Sequence, residues 1–185
     1  MKNNFLSQYT KKMRGYDKCP KHENFSEIFW SSLGCFVTIV LISFIDTSSQ
    51  HLFTEQPLFV APVGASTIMI FGLPNSIYAQ PRNVIGGHFI AALCGVTALI
   101  LFRETEIFAC AIAVMCTMLA MHATKTIHPP GGATALLAVI GGESITNLGY
   151  LFAFVPCLTN SIMLIMCGII FNNIPKSRQY PRFWI

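Results

Sequence analysis

The chain has 185 residues, 53% of them hydrophobic and 11% charged, with twelve Lys and Arg against eight Asp and Glu for a net charge of +4. A soluble domain carries about 25% charged residues, so a soluble enzyme, a nucleic-acid module and a disordered chain are all excluded. Six of the twelve basic residues precede position 22 and three more follow position 175, a charge placement that orients a membrane protein rather than one that binds nucleic acid.

In chain order, residues 1–27 read as a polar, basic, cytoplasmic tail. The apolar run 28–45 is a retained first span, too long for the hydrophobic region of a signal peptide and without an Ala-x-Ala exit. Residues 58–73 (LFVAPVGASTIMIFGL) are apolar but broken near their start by Pro62 and Gly64. The runs 84–102 and 107–122 are each long enough to cross a hydrocarbon layer of roughly 30 Å at about 1.5 Å per residue. Residues 127–142 (IHPPGGATALLAVIGG) are broken again, at Pro129 to Gly132. The last run, 148–171, crosses and contains Pro156, whose missing N–H predicts a bend near Phe152 to Pro156. Residues 173–185 form a second cytoplasmic tail. The cysteines inside the apolar runs have no Cys-x-x-Cys spacing and read as small core residues.

From its proline onward each broken segment gives a helix of about 12 residues, or about 18 Å, short of a full crossing. The two match at an offset of 68 residues: Pro62 with Pro130, Gly64 with Gly132, Ala65 with Ala133, Ser66 with Thr134. The order span, broken helix, span therefore occurs twice, in repeat 1 (about 28–102) and repeat 2 (about 107–172). The expected fold is an all-α integral membrane protein with four full spans, two short Pro/Gly-broken helices and an internal two-fold repeat. Re-entrant segments make four crossings and parallel repeats. If about four extended residues before each proline add roughly 13 Å, there are six crossings and the repeats are inverted. The loop charges favour six, with Arg82 and Lys125 inside and the Arg103 to Glu106 turn outside.

A helix that begins inside a membrane presents unpaired N–H groups and the positive end of its dipole. Pro62 and Pro130 suit an opening turn. Gly64, Ala65, Gly131 and Gly132 leave room for a ligand to approach the backbone, and Ser66 and Thr134 add hydroxyls. Two such starts meeting near the midplane make a small anion site, although the same small residues equally serve to pack helices. Around them Arg82, Lys125, His88 and His128 offer positive field or hydrogen bonds, and Asn83 can cap the helix that follows Arg82. Arg82 and Lys125 lie near segment ends, where snorkelling to headgroups also accounts for them. His88, about five residues inside its span, also fits a neutral structural role. His88, His122 and His128 have no carboxylate or Cys at ligand spacing, so neither a metal site nor a cofactor is expected.

The strings Ala61-Pro62-Val63-Gly64-Ala65-Ser66, Gln80-Pro81-Arg82-Asn83-Val84-Ile85-Gly86-Gly87-His88 and His128-Pro129-Pro130-Gly131-Gly132-Ala133-Thr134 resemble three signatures of the HPP family of integral membrane proteins. The resemblance covers about residues 28–172 and implies a transporter-like, multi-pass inner-membrane protein. Plant and cyanobacterial members are linked to nitrite transport, and no catalytic mechanism comes with the family. The chain is expected to end too soon for the regulatory domain that some bacterial members append. The leading expectation is a transporter or channel for a small inorganic anion, nitrite first. The alternative is a non-transporting assembly or sensor module whose Gly/Pro motifs only set packing. An intramembrane enzyme stands behind both, since no His-Glu-x-x-His, Gly-x-Ser-x-Gly or buried acid pair is present. The partners expected are the lipid bilayer and a small anion, with no nucleic acid, and the small-residue faces point to a homo-oligomer.

Overall fold

The computed structural model describes residues 5–13, 17–19, 23–53 and 61–185, with 5, 6 and 46–53 given by backbone path. Every regular element among them is helical: α1 (Phe5–Lys12), α2 (Phe25–Phe53), α3 (Ala61–Gly72), α4 (Pro81–Leu101), α5 (Glu106–Thr124), α6 (Pro130–Ile140), α7 (Glu143–Thr146) and α8 (Thr159–Asn172). A 3₁₀ turn, Ile77–Ala79, precedes α4, and a π-helical stretch, Ala153–Leu158, leads into α8. Four helices are long and apolar enough to span: Phe25–Ile45 within α2, α4, α5 and Ala153–Asn172. With 12 and 11 residues, α3 and α6 are too short.

The last span begins later than expected, because the turn at 147–150 that follows α7 occupies the start of the predicted run. Pro156 breaks the ladder where its missing N–H predicts, and Val155 beside it is extended at φ −130°, ψ 114°. Residues 58–60 of the first broken segment lie outside the described residues. At the other broken segment the chain leaves α5 through Lys125, left-handed at φ 57°. The N–H groups of Lys125 and Thr126 turn back to the carbonyls of His122 (3.3 Å) and Met121 (2.9 Å). That cap ends α5 and sends residues 126–129 inward.

Side-chain contacts fix the direction of each helix. Ser31 Oγ donates to Phe71 O (2.8 Å) and Cys35 Sγ to Thr67 O (3.8 Å), so α2 and α3 are antiparallel. Val63 meets Asn160 and Leu164 around one cavity while Asn172 Nδ2 donates to Ile70 O (3.1 Å), so α3 runs parallel to α8. A Cβ on Gly131 would lie 3.2 Å from Gly87 O and one on Gly95 only 2.5 Å from Ala135 O, so α6 runs parallel to α4. The two short helices therefore leave the level of His88 in opposite directions. α3 runs toward the end of the molecule that holds Arg82, Thr124 and Arg178, and α6 toward the turn joining α4 to α5.

The principal helix neighbours are paired as well. α3 packs on α2, α8 and α6; α6 packs on α5, α4 and α3; α4 packs on α5, α8 on α2, and α4 on α8. Exchanging α2, α3 and α4 for α5, α6 and α8 leaves that set unchanged. Cys94-Gly95 on α4 and Cys167-Gly168 on α8 hold matching places. Cys94 stands beside Thr117 of α5 and Cys167 beside Thr38 of α2. Gly168 abuts Ile70 of α3 as Gly95 abuts Ala135 and Ala138 of α6.

The segment after α8, expected as a tail, is instead packed across the end of α3. Arg178 Nε donates to Glu27 Oε2 at 2.6 Å, with the arginine side chain 5% and the glutamate 20% exposed. Its other nitrogens donate to Glu27 O (2.8 Å), Ser31 Oγ (2.7 Å), Asn172 Oδ1 (3.1 Å) and Phe71 O (3.3 Å). Tyr180 Oη donates to Ala79 O (2.6 Å), and the Arg182 N–H to Gln80 Oε1 (2.7 Å). The last carbonyls of α3, which a helix leaves unpaired, thereby gain partners.

Arg178→Ala takes the guanidinium from Glu27, which keeps the Ser177 hydroxyl (2.6 Å), and one of two donors from Phe71 O, which keeps Ser31 Oγ, a loss of about 1–3 kcal/mol. It should lower the detergent unfolding temperature clearly, and Arg178→Lys should recover little because an ammonium cannot reproduce the fork. The same assay separates the glycines. Gly95→Ala forces a Cβ against the Ala135 backbone and should melt lower, whereas Gly132→Ala meets nothing within 4 Å and should melt no lower than the unsubstituted chain.

Candidate functional site

Residues from all three motifs meet in one buried chain of hydrogen bonds. Ser66 Oγ on α3 lies 2.7 Å from His88 Nε2 on α4 and 2.8 Å from His128 Nε2. His88 Nδ1 lies 2.7 Å from Thr134 Oγ1 on α6, and His128 Nδ1 lies 2.7 Å from the Tyr78 carbonyl. The two rings meet edge to face with centroids 4.8 Å apart. Ser66 and His128 are 0%, Thr134 1% and His88 3% exposed, so the chain has no bulk water to lean on.

With both imidazoles neutral, one end sets every donor in the chain. The Tyr78 carbonyl only accepts, so His128 carries its proton on Nδ1 and accepts at Nε2. Ser66 must then donate to His128 Nε2, which leaves its oxygen to accept from His88 Nε2–H. His88 Nδ1 in turn accepts from the Thr134 hydroxyl. All four side chains are paired, and no member can reverse without reversing its neighbours.

Local sequence explains the close approach. A Cβ on Gly87 would lie 2.5 Å from His128 Cβ and one on Gly86 2.6 Å from Thr126 Cγ2, so the glycines before His88 admit the segment that carries His128. Asn83 Nδ2 donates to Ile127 O (2.8 Å) and holds the same segment. Pro129 and Pro130 open α6 without N–H groups, so neither leaves an orphan donor.

Beyond Thr134 lies a cavity of about 10 Å³, the room of one water. Val63, Cys157, Asn160, Ser161 and Leu164 complete its wall. Asn160 and Ser161, 3% and 1% exposed, were not among the expected site residues, although an Asn-Ser pair in the middle of an apolar span is a visible signal. The Tyr78 carbonyl is a backbone acceptor and leaves no mark in the sequence.

Other expected site residues sit elsewhere. The N–H of Gly131 donates to His128 O (2.9 Å) and that of Gly132 to Pro129 O (3.0 Å), so these amides are not open to an anion. Gly131 instead serves packing, against Met121 and Gly87, while Gly64 and Gly132 face open space. Pro62 and Pro130 are buried and Ala65 is exposed. Arg82 turns away from the histidines and donates to Thr124 O at the end of α5 (3.0 Å). Lys125 is exposed at the α5 cap, and His122 is exposed. Asn83 does not cap α4, whose N-cap is Gln80. Among the described residues no group of three His, Cys, Asp or Glu is placed to hold a metal ion.

Ser66→Ala strands His88 Nε2–H and the His128 Nε2 lone pair together, at a cost of about 1–3 kcal/mol. The variant should unfold at a lower temperature than the parent in detergent. An unchanged midpoint would show that the serine satisfies no buried group.

The profile described as HPP, transmembrane region, matches residues 20–181. A transmembrane protein of Dictyostelium discoideum is 37% identical over 184 residues, covering 97% of this chain and 58% of the relative. A second from the same organism is 36% identical over 185 residues, covering 97% of this chain and 64% of that relative. The chain thus spans about three-fifths of the length of the curated relatives it matches. No solved structure matches it. With its three motifs joined in one buried chain and the family profile running through all of them, this multi-pass membrane protein belongs to the HPP family.

Proposed function

We propose that the protein carries a small inorganic anion across its membrane, nitrite first among candidates, with the Ser66, His88, His128 and Thr134 chain and its cavity as the site. One observation supports this above the rest: the polar side chains of separate motifs converge, fully buried, where two short helices of opposite direction meet. Polar and ionisable groups at membrane depth are expensive and mark solute pathways. Among the described residues no carboxylate lines the cavity, which favours an anion over a metal cation. The reading is of a carrier or channel and not of an enzyme.

The exchangeable packing of the two helix sets supports two inverted repeats and six crossings. Arg82, Lys125, Arg178 and Arg182 gather at one end and the acid-flanked Arg103 lies at the other, which supports the basic end, and both termini, as cytoplasmic. The family resemblance supports an inner membrane. A second reading, a non-transporting module, draws on Gly86, Gly87, Gly95, Gly131 and Gly168, each of which packs against a neighbour. It leaves the buried histidine pair without a task.

Nitrite uptake into proteoliposomes decides between the two. The full chain should raise uptake over protein-free vesicles, and His88→Gln or His128→Gln should lower it about tenfold or more through the unpaired partners they leave. Arg82→Gln should retain flux, because Arg82 bonds a helix end and not the chain. Vesicles holding folded protein with no uptake above background return the argument to the packing module.

A further inference from the structure

We infer that each anion crosses together with one proton, held on the hydrogen-bonded chain of His88, Ser66 and His128. The inference rests on the anion-carrier reading and adds the co-substrate to it. Among the described residues an anion in the cavity meets no fixed positive charge. Its wall holds two titratable groups, His88 from α4 and Cys157 from the π-helical stretch; α3 contributes Val63, α6 contributes Thr134 and α8 contributes Asn160, Ser161 and Leu164. His128 faces Ser66, the backbone at Gly87 and the Tyr78 carbonyl. The amides of Gly131 and Gly132 are engaged by His128 and Pro129. An unpaired charge in dry surroundings is costly, so the compensating charge has to arrive with the anion.

The chain is built to take one proton. Thr134 reaches both the cavity and His88 Nδ1. It can pass its hydroxyl proton to Nδ1 while taking another from a hydronium ion or from the acid form of the anion in the cavity, which leaves water or the anion there and makes His88 an imidazolium. His88 then gives its Nε2 proton to Ser66 Oγ as Ser66 gives its own to His128 Nε2. Across that step one N–H and one O–H bond break and one of each forms. His128 ends as the imidazolium, His88 is neutral with its proton on Nδ1, Ser66 keeps a hydroxyl, and nothing is oxidised or reduced. At the far end the Tyr78 carbonyl accepts a hydrogen bond from His128 Nδ1 (2.7 Å) and cannot relay a proton. The chain is a store with one mouth, and that mouth is the cavity the anion would use. Proton and anion enter and leave by the same opening, one for one.

The test uses the full chain in proteoliposomes, with nitrite outside, a pH dye trapped inside and potassium with valinomycin to set the potential. Rates are taken above those of protein-free vesicles, because nitrous acid crosses lipid unaided. An acidic exterior at zero potential should drive nitrite inward against its gradient, about tenfold for each pH unit at one-to-one coupling. The lumen should acidify in step, and a potential of either sign should leave the initial rate unchanged. Ser66→Ala keeps both histidines but cuts the relay, so nitrite flux should fall and the remainder should no longer follow the pH gradient. Nitrite flux driven by potential without proton uptake overturns the inference and leaves the carrier reading standing, as does one-to-one coupling that persists in Ser66→Ala. No protein-dependent flux at all overturns the carrier reading and the inference with it.

Discussion

Inside a bilayer every backbone N–H and C=O has to find its partner within the protein, and helices that start or stop at membrane depth concentrate that demand at a few atoms. At the start of α6 it is met by subtraction. Pro129 and Pro130 have no N–H, and the next two amides fold back on His128 and Pro129. At the end of α3 it is met by addition, with Ser31, Asn172 and Arg178 supplying donors to the carbonyls of Ile70 and Phe71. The His-Pro-Pro triplet is in this light first a way to begin a helix in an apolar place without orphan donors. Its histidine is then free to spend both ring nitrogens on other elements.

That freedom has value only if three helices come within hydrogen-bond reach of one another. Glycine makes the approach possible at Gly86, Gly87, Gly95 and Gly131, where any Cβ would strike a neighbour. Open amides and close packing are both sound accounts of a glycine in a membrane helix, and the contacts divide them residue by residue. Gly131 packs, whereas Gly64 and Gly132, equivalent at the offset of 68, both face open space. The polar chain is thus a product of packing, since the small residues set the backbone distances that bonds of 2.7–2.8 Å require.

The parts of this architecture visible in the sequence were those written in composition and proline. Four long apolar runs, two runs too short to cross, and a break at Pro156 need nothing beyond helix rise and the missing proline N–H. Ser66, His88, His128 and Thr134 stand out because polar residues are costly where apolar neighbours surround them. Side-chain direction was not visible. Arg82 looks the same in the sequence whether it turns toward the histidines or toward the last carbonyls of α5. Lys125 gives no hint of its left-handed cap, and the turn of Arg82 and the tail's grip on Glu27 depend on elements more than 40 residues away. The Cys-Gly pairs at 94–95 and 167–168 are legible only afterwards. Their spacing of 73 differs from the 68 of the short helices, and the extra residues between α6 and α8 hide the match.

On the carrier reading, the size of the cavity imposes a motion. It has room for about one water, less than nitrite occupies, so the wall has to part. One body holds α4, α5 and α6, which share a core of Ala91, Ala98, Ala113, Met121, Ala135 and Val139, while Val84, Ala92, Val96 and Ala138 pack in the core of the second. The other holds α2, α3 and α8, tied at one end by Arg178 and Asn172. The seam between them passes through the site: Ser66, Asn160 and Ser161 stand on one side, and His88, His128 and Thr134 on the other. Rocking one body against the other, a common route to alternating access in transporters, stretches the bonds from Ser66 to both histidines before any others in the chain. Opening and proton transfer through Ser66 then exclude each other, because the serine can relay only while the seam is shut. A carrier built this way commits its proton to one histidine before it opens, and a single hydroxyl at the seam ties the position of the gate to the position of the charge.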